Sequence, residues 1–518
     1  MSLEQFKETI TNGYTMSSEF ITVGGAMYDK EIVSDLHVNI PLKTIARHGL
    51  IAGATGTGKT KTIQVLCEQL SQKGIPVLMM DIKGDFSGIA QEGTLNSFIE
   101  NRLGKMNLPF NAKGFPVELL TISKQNGVKL RATISEFGPV LLSRILDVNE
   151  TQSGVLSIVF KYCDDNKLPL IDIKDLKKVL HALTNELSSE IETEYGKIAK
   201  ASTSAILRKI VELEQQGADL FFGEPSFDIH DLMRIDENGK GYINILRLTD
   251  IQDKPKLFST FMLCLLAEIY NEMPEQGDRG RPELVLFIDE AHLIFKEASK
   301  TLLEQIETIV KLIRSKGVGV YFITQNPTDI PNGVLAQLGL KIQHALKAFT
   351  EKDRKAIKTA SENFPSTPFF TTNEVITQMG IGEALVTALN EKGIPTPLVV
   401  TALRAPESRM DVLQNFEIED IINKSFLAKK YNQNIDSYSA HEMLTDRFAQ
   451  LQTQQSQKQQ STINPPINDG SSGQQTSRQR TNSRQSNNDV GKQITKVLTS
   501  ATFIRGAFGV LNKIFSKK

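Results

Sequence analysis

One stretch constrains this chain more than any other: Gly53-Ala54-Thr55-Gly56-Thr57-Gly58-Lys59-Thr60. It matches G-x-x-x-x-G-K-[ST] at every fixed position. The apolar segment His48-Gly49-Leu50-Ile51-Ala52 ahead of it is short enough for a buried strand. Behind it, residues 62–70 carry apolar side chains at helical spacing. Strand, glycine loop, helix is the context this motif needs. Glycines let backbone N–H groups turn inward without a Cβ clash and form a nest for an anion. The helix N-terminus that follows adds about half a positive charge. Lys59 is placed to reach β- and γ-phosphates, and the Thr60 hydroxyl to ligate Mg²⁺. The expected nucleotide contacts are residues 53–60, with Thr62 and Asp81 beside them.

A second signal is Leu284-Val285-Leu286-Phe287-Ile288-Asp289-Glu290, an apolar strand that closes on two acids. Phosphoryl transfer needs positioning and charge stabilisation more than covalent chemistry. Asp289 would hold Mg²⁺ through water and Glu290 would polarise the attacking water. A water-activating glutamate favours ATP hydrolysis over a kinase, in which it would waste ATP. Thr324-Gln325-Asn326 ends the next strand, where Gln325 would sense the γ-phosphate or orient the water. Asp81 and Asp85 follow another apolar strand; they either brace the metal's water shell or cap their own loop.

Arg47 and Arg314 precede the first and last of these strands, so both sit at strand N-termini. The phosphate site lies at the opposite edge, about 20 Å away for a six-residue strand. Either arginine would then serve a neighbouring subunit's site as a finger in trans, or be an ordinary surface or salt-bridged residue.

The remaining chemistry is sparse. The 518 residues include 59 Lys+Arg against 60 Asp+Glu, a formal net charge of -1. No global basic field marks a nucleic-acid binder, although a basic channel inside an oligomer would not show in that total. The three cysteines, Cys67, Cys163 and Cys264, are far apart in apolar settings. They read as buried thiols in a reducing cytoplasm. The first residues lack the apolar core of a signal peptide, and no run of about 18 apolar residues predicts a transmembrane helix. His292 reads as a capping or packing residue; the other histidines are scattered without zinc spacing.

Buried strands alternating with helices predict an α/β chain with a mostly parallel sheet covered on both faces. The expected division is a short β cap over 1–44, a core over 45–134 and 239–410, and a helical insertion over 135–238. A helical extension over 411–449 follows, then a Gln/Ser/Asn-rich linker over 450–490 too poor in apolar residues to order, and a basic amphipathic helix over 491–518. Val128 to Ile134 is expected to be a strand, antiparallel to its neighbour. The terminal helix suits either an anionic membrane surface or a protein partner.

The residues from Arg47 through Thr60, Asp81-Ile82-Lys83-Gly84-Asp85, Ile288-Asp289-Glu290-Ala291-His292, and Ile313 to Gly319 through Thr324-Gln325-Asn326-Pro327 resemble the HerA-like ATPases of the HerA/FtsK branch of P-loop motors. They are nearest the bacterial YjgR-type proteins. Arg131-Ala132-Thr133 and Phe222-Gly223-Glu224-Pro225 resemble that subfamily too. The resemblance implies a RecA-like core in a hexameric ring, with ATP and Mg²⁺ bound between subunits. By position it makes Lys59 and Thr60 Walker A, Asp289 and Glu290 Walker B, Gln325 the sensor, and Arg47 and Arg314 finger candidates. It implies translocation on double-stranded DNA. The second function class is an ATP-dependent protein-interaction or membrane-associated remodelling ATPase. HerA proper carries an N-terminal β-barrel that docks a nuclease. The roughly 45 residues ahead of the core here are fewer than such a domain needs, which argues against a nuclease partner.

Overall fold

The computed structural model describes residues 2–277, 279–296, 300–348 and 350–463. The remainder of the expected linker and the expected basic helix at 491–518 lie outside the described residues. The chain forms two compact units. Of the described residues, the first comprises 2–131, Gln215–Phe221 and Pro225–Asn434; the second comprises Ala132–Glu214, Phe222–Glu224 and 435–463.

The first unit is built on a twelve-stranded sheet. In chain order the strands are β1 (Phe20–Tyr28), β2 (Glu31–Pro41), β3 (Gly49–Ala52), β4 (Val77–Asp81), β5 (Val117–Thr121), β6 (Val128–Lys129), β7 (Ile243–Arg247), β8 (Leu284–Ile288), β9 (Val318–Thr324), β10 (Leu340–His344), β11 (Glu383–Thr387) and β12 (Val399–Leu403). Across the sheet they run β2-β1-β12-β11-β10-β3-β9-β8-β4-β7-β5-β6. From β10 to β6 every pairing is parallel. From β10 to β2 every pairing is antiparallel. The parallel strands β3, β4, β8 and β9 are buried at every position, which is why they read as unbroken apolar runs rather than alternating ones.

Two expectations change. The N-terminal segment is more than a hairpin: Leu3–Tyr14 is a helix, opened by a capping box between Ser2 and Gln5. Its buried stripe is Phe6, Ile10 and Tyr14, spaced i, i+4, i+8. The hairpin that follows is part of the main sheet, because β1 pairs with β12. Its turn falls at Asp29 and Lys30, both at positive φ, while Gly24 and Gly25 lie mid-strand. Gly24 must be glycine there for another reason: a Cβ would come within 2.1 Å of the Ala402 carbonyl oxygen on β12. The second change is β6, which pairs parallel with β5 through Leu120–Val128 and Thr121–Lys129. Connections this short normally return antiparallel; here only two residues pair.

The second unit is helical. Its helices include Glu150–Asn166, Ile173–Thr184 and Ala440–Ile463. The last is tied down at its start, where Asp175 accepts from the Ser439 hydroxyl (2.5 Å) and the His441 N–H (2.8 Å). Ala440–Ile463 continues past residue 450, so the first part of the expected linker is helical. Cys67, Cys163 and Cys264 are all buried. Among the described residues, no helix is long and apolar enough to cross a membrane.

Candidate nucleotide site

Because β3, β9, β8 and β4 are parallel neighbours, their C-terminal ends share one edge, where open α/β sheets bind ligands. The loop after β3 is the phosphate cradle. Gly53, Gly56 and Gly58 all hold positive φ (155°, 80° and 106°). The backbone is pinned from both sides: Gly53 N–H donates to the Thr324 carbonyl (3.2 Å) and Ala54 N–H to the Ala345 carbonyl (2.9 Å). Thr55 and Gly56 at the crest are exposed, and nothing lies within 4 Å of where a Gly56 Cβ would stand. The cradle therefore has room for an anion.

Beneath it lies a residue whose role the sequence does not reveal. His344, at the end of β10, has Nδ1 3.0 Å from the Thr57 carbonyl and Nε2 2.9 Å from the Thr62 hydroxyl. The carbonyl can only accept, so Nδ1 carries the proton. Burial, with the Lys59 charge acting in the same direction, pushes the imidazole down to about 4. It is a neutral brace. A Cβ on Gly53 would come 2.5 Å from that of His344. Thr62 is accordingly turned into the core, where its hydroxyl donates to His344 Nε2, with the Gly58 carbonyl 3.2 Å away. It supports the cradle from below rather than lining it.

Lys59 is buried and folded back on its own loop, donating to the carbonyls of Gly53 (2.6 Å) and Ala54 (3.0 Å). Burial and the Lys83 charge push its ammonium below the ordinary range. Thr60 donates its hydroxyl to Asp85 (3.2 Å). Asp81 is 2% exposed and accepts from the N–H groups of Gly84 (2.7 Å) and Phe86 (3.3 Å). It is thus the cap of its own loop. Burial pushes its carboxyl up to about 6, with the charges of Asp85 and Asp289 adding to the effect.

Asp289 and Glu290 follow β8, and Glu290 sits at φ 45°, a conformation unusual for a long side chain. Burial pushes Asp289 up to about 6 against the pull of Lys83, with Glu290 adding to the rise. Glu290 also pays for burial, but a hydrogen bond and charge from Lys83 outweigh it and hold the carboxyl below its usual range. The contacts are close: Lys83 Nζ lies 2.5 Å from Glu290 Oε1 and 3.7 Å from Asp289 Oδ2. Gln325 Nε2 donates to the same Oε1 (3.1 Å). His292 Nδ1 approaches Oε2 at 3.2 Å. Among the described residues, however, this buried oxygen accepts no hydrogen bond.

The edge thus brings together Lys59, Thr60, Asp81, Asp85, Asp289, Glu290 and Gln325. It also brings in Lys83, which sits inside a recognisable motif yet gains a role only when β4 is placed beside β8. Arg47 and Arg314 are elsewhere. Arg47 precedes β3 and lies against Gly393; Arg314 precedes β9 and is exposed. Both are at the N-terminal edge. His48, also there, is structural: its Nδ1 accepts from the Val320 N–H (3.0 Å) and its Nε2 lies 2.8 Å from the Val310 carbonyl.

The donor set suits a hard cation. Thr60, Asp85 and Asp289 offer only oxygen. Among the described residues no group of three or more His, Cys, Asp or Glu could hold a metal alone. A Mg²⁺ here would therefore take its remaining ligands from phosphate and water, as Mg²⁺ usually does.

Comparison with known proteins gives the family. The helicase HerA-like C-terminal family model matches residues 29–514. The DNA double-strand break repair helicase HerA of Sulfurisphaera tokodaii is 26% identical over 354 residues, 67% of this chain and 64% of that protein. HerA of Saccharolobus solfataricus is 23% identical over 369 residues, 70% of this chain and 65% of that one. This chain spans under two thirds of the length of these relatives. Among solved structures, the plasmid coupling protein TrwB in complex with a non-hydrolysable ATP analogue superposes with a TM-score of 0.51 at 16% identity. That match covers 80% of this chain and 96% of TrwB. The unbound monoclinic form of TrwBdeltaN70 gives 0.50 at 15% identity, covering 79% and 95%. A RecA-like P-loop fold, a matching family model over most of its length and relatives of the same kind place this chain in the helicase HerA-like C-terminal family.

Proposed function

We propose that this chain is an ATP-hydrolysing motor of the HerA type that works as an oligomer on double-stranded DNA. The observation that carries the hydrolytic part is the convergence of Lys59, Glu290 and Gln325 at one sheet edge, with Glu290 Oε2 buried, 3.2 Å from His292 Nδ1 and accepting no hydrogen bond among the described residues. Bound ATP with Mg²⁺ would supply the electrophilic γ-phosphorus and the neutralisation of its charge. The chain's own part is positioning. The N–H groups of the cradle that are not already given to backbone carbonyls, as those of Gly53, Ala54 and Thr57 are, hold the phosphates. Lys59 exchanges its carbonyl contacts for phosphate oxygens, and Thr60 and Asp289 hold the cation. Glu290 accepts the proton of the attacking water, and Gln325 keeps that carboxylate in place.

Assembly enters through the arginines. Arg47 and Arg314 stand at the far edge from the cradle of their own chain, so a finger must come from a neighbouring copy. A ring, hexameric by likeness to the family, would satisfy this. DNA as the cargo rests on the names of the relatives, which are double-strand break repair helicases.

The test is ATP turnover by the full chain with and without duplex DNA over a range of salt. Stimulation by DNA that weakens steeply with salt is the expected result, because phosphate contacts release counterions. Turnover indifferent to DNA, together with liposome binding that disappears when residues 492–518 are removed, would replace the DNA motor with a membrane-associated remodelling ATPase.

A further inference from the structure

Lys83 is the most heavily engaged residue of the site without an assigned task. It follows β4 in the loop closed by Asp81, between Ile82 and Gly84, the latter at φ 78°. Its ammonium lies 2.5 Å from Glu290 Oε1 and 3.7 Å from Asp289 Oδ2. In this arrangement Oε1 is occupied twice, by Lys83 and by Gln325. An attacking water cannot use it until Lys83 leaves. The side chain is free to leave: 33% of it is exposed, whereas Asp289 and Glu290 are at 6% and 8%.

The charges say where it would go. Two lysines converge on one small region, and Lys83 helps to depress the Lys59 ammonium. Lys59 meanwhile rests on neutral carbonyls. A polyanion placed in the cradle next to both would relieve their repulsion. It would also compete with Glu290 for Lys83, since a terminal phosphate presents more acceptor oxygens and more charge than one carboxylate. A nucleoside diphosphate lacks the phosphate group nearest the Asp289–Glu290 side and would leave Lys83 where it is.

We propose that Lys83 is a second phosphate-binding lysine specific for the third phosphate, parked on Glu290 when that phosphate is absent and transferred to it when a nucleoside triphosphate binds. The same movement frees Glu290 Oε1 from its lysine. Binding of the third phosphate thus frees one of the two carboxylate oxygens of Glu290, and in the diphosphate state Oε1 stays paired with Lys83. This rests on the reading of the site as a nucleotide site. The competing account is a static ion pair that only holds the loop after β4 in place.

Calorimetric titration of the full chain with Mg²⁺ and either ADP or a non-hydrolysable ATP analogue separates the two. A charge-assisted contact to the third phosphate makes Lys83→Met weaken the analogue by about tenfold or more and leave ADP within about twofold of the parent. Lys83→Arg, which keeps the charge, should recover most of the loss. Glu290→Gln removes the parking partner, so it should tighten the analogue, and this gain should vanish in the Lys83→Met/Glu290→Gln double variant. Equal loss for both nucleotides, or no loss for either, overturns the proposal in favour of the static pair. If the parent chain binds neither nucleotide, the nucleotide reading itself falls; if it binds both and Lys83→Met changes nothing, only the role of Lys83 falls.

Discussion

The two halves of the sheet obey different rules. On the antiparallel flank every buried polar group of one small network finds a partner. The Tyr14 hydroxyl donates to the Pro397 carbonyl (2.8 Å), with the Val386 carbonyl at 3.1 Å, and accepts from the Thr396 hydroxyl (2.9 Å). Thr396 in turn accepts from the Ala388 N–H (2.9 Å), and Thr387 donates to the Thr396 carbonyl (2.9 Å). At the C-terminal edge of the parallel half the opposite holds. Two carboxyls are pushed up to about 6, a glutamate sits at positive φ, and among the described residues its buried Oε2 accepts no hydrogen bond, with only His292 Nδ1 at 3.2 Å. Local rules agree with the fold where the protein needs only to be stable. They are broken where a charged ligand is expected to complete them.

This contrast can be broken by substitution. The largest effect is expected at Glu290. Glu290→Gln keeps the shape and the Gln325 neighbour but removes the base, so ATP turnover in steady-state assays should fall by about 100-fold or more, with nucleotide binding retained. Turnover within a few-fold of the parent would remove Glu290 as the base. Lys59→Ala should abolish turnover as well, but through lost phosphate contact.

The next effect is on stability against pH, and it concerns the supports rather than the site. His48 and His344 are both held near 4 in the fold, chiefly by burial, whereas an unfolded histidine titrates near 6.5. Above about 6.5 both states are neutral and the full stability is present. As pH falls from there to about 4, the unfolded state takes up protons first, so stability is lost by up to about 3 kcal/mol per histidine. Asp81 and Asp289 oppose this, because raised carboxyls favour the fold as pH falls through about 6. Denaturant melts of His344→Gln should show a flatter acid limb than the parent; an unchanged limb would show that His344 is not held neutral.

The smallest effect should come from the satisfied flank. Tyr14→Phe removes the hydroxyl and leaves the Thr396 hydroxyl and two carbonyls to re-pair, a loss of about 1–2 kcal/mol in chemical denaturation. The ATP-analogue affinity should not move. A change there would mean that the flank and the site are energetically coupled.

Much of this was readable in the chain. The P-loop, the Asp289–Glu290 strand and the Gln325 strand were visible because parallel strands buried on both faces are continuous apolar runs with chemistry at one end. What escaped reading depended on contacts distant in sequence or on phase. Lys83 and Glu290 are joined only by the pairing of β4 with β8. His344 looked like one of several isolated histidines until β10 took its place beside β3. Thr62 was expected among the nucleotide contacts, but two residues beyond Thr60 is about 200° around a helix, and its side chain faces the core. The helix Leu3–Tyr14 was hidden because only three buried residues mark an otherwise polar segment, although its capping pair was in plain view.

The pairing of β1 with β12 has a practical consequence. The first forty-odd residues look dispensable beside a P-loop core, yet they supply two strands of the continuous sheet. Trimming them would bare the β12 edge from Val400 to Leu403 and leave its N–H and C=O groups open to strands of other molecules. Fragments that begin at the core should therefore precipitate, and their inactivity would report aggregation rather than the loss of a regulatory segment.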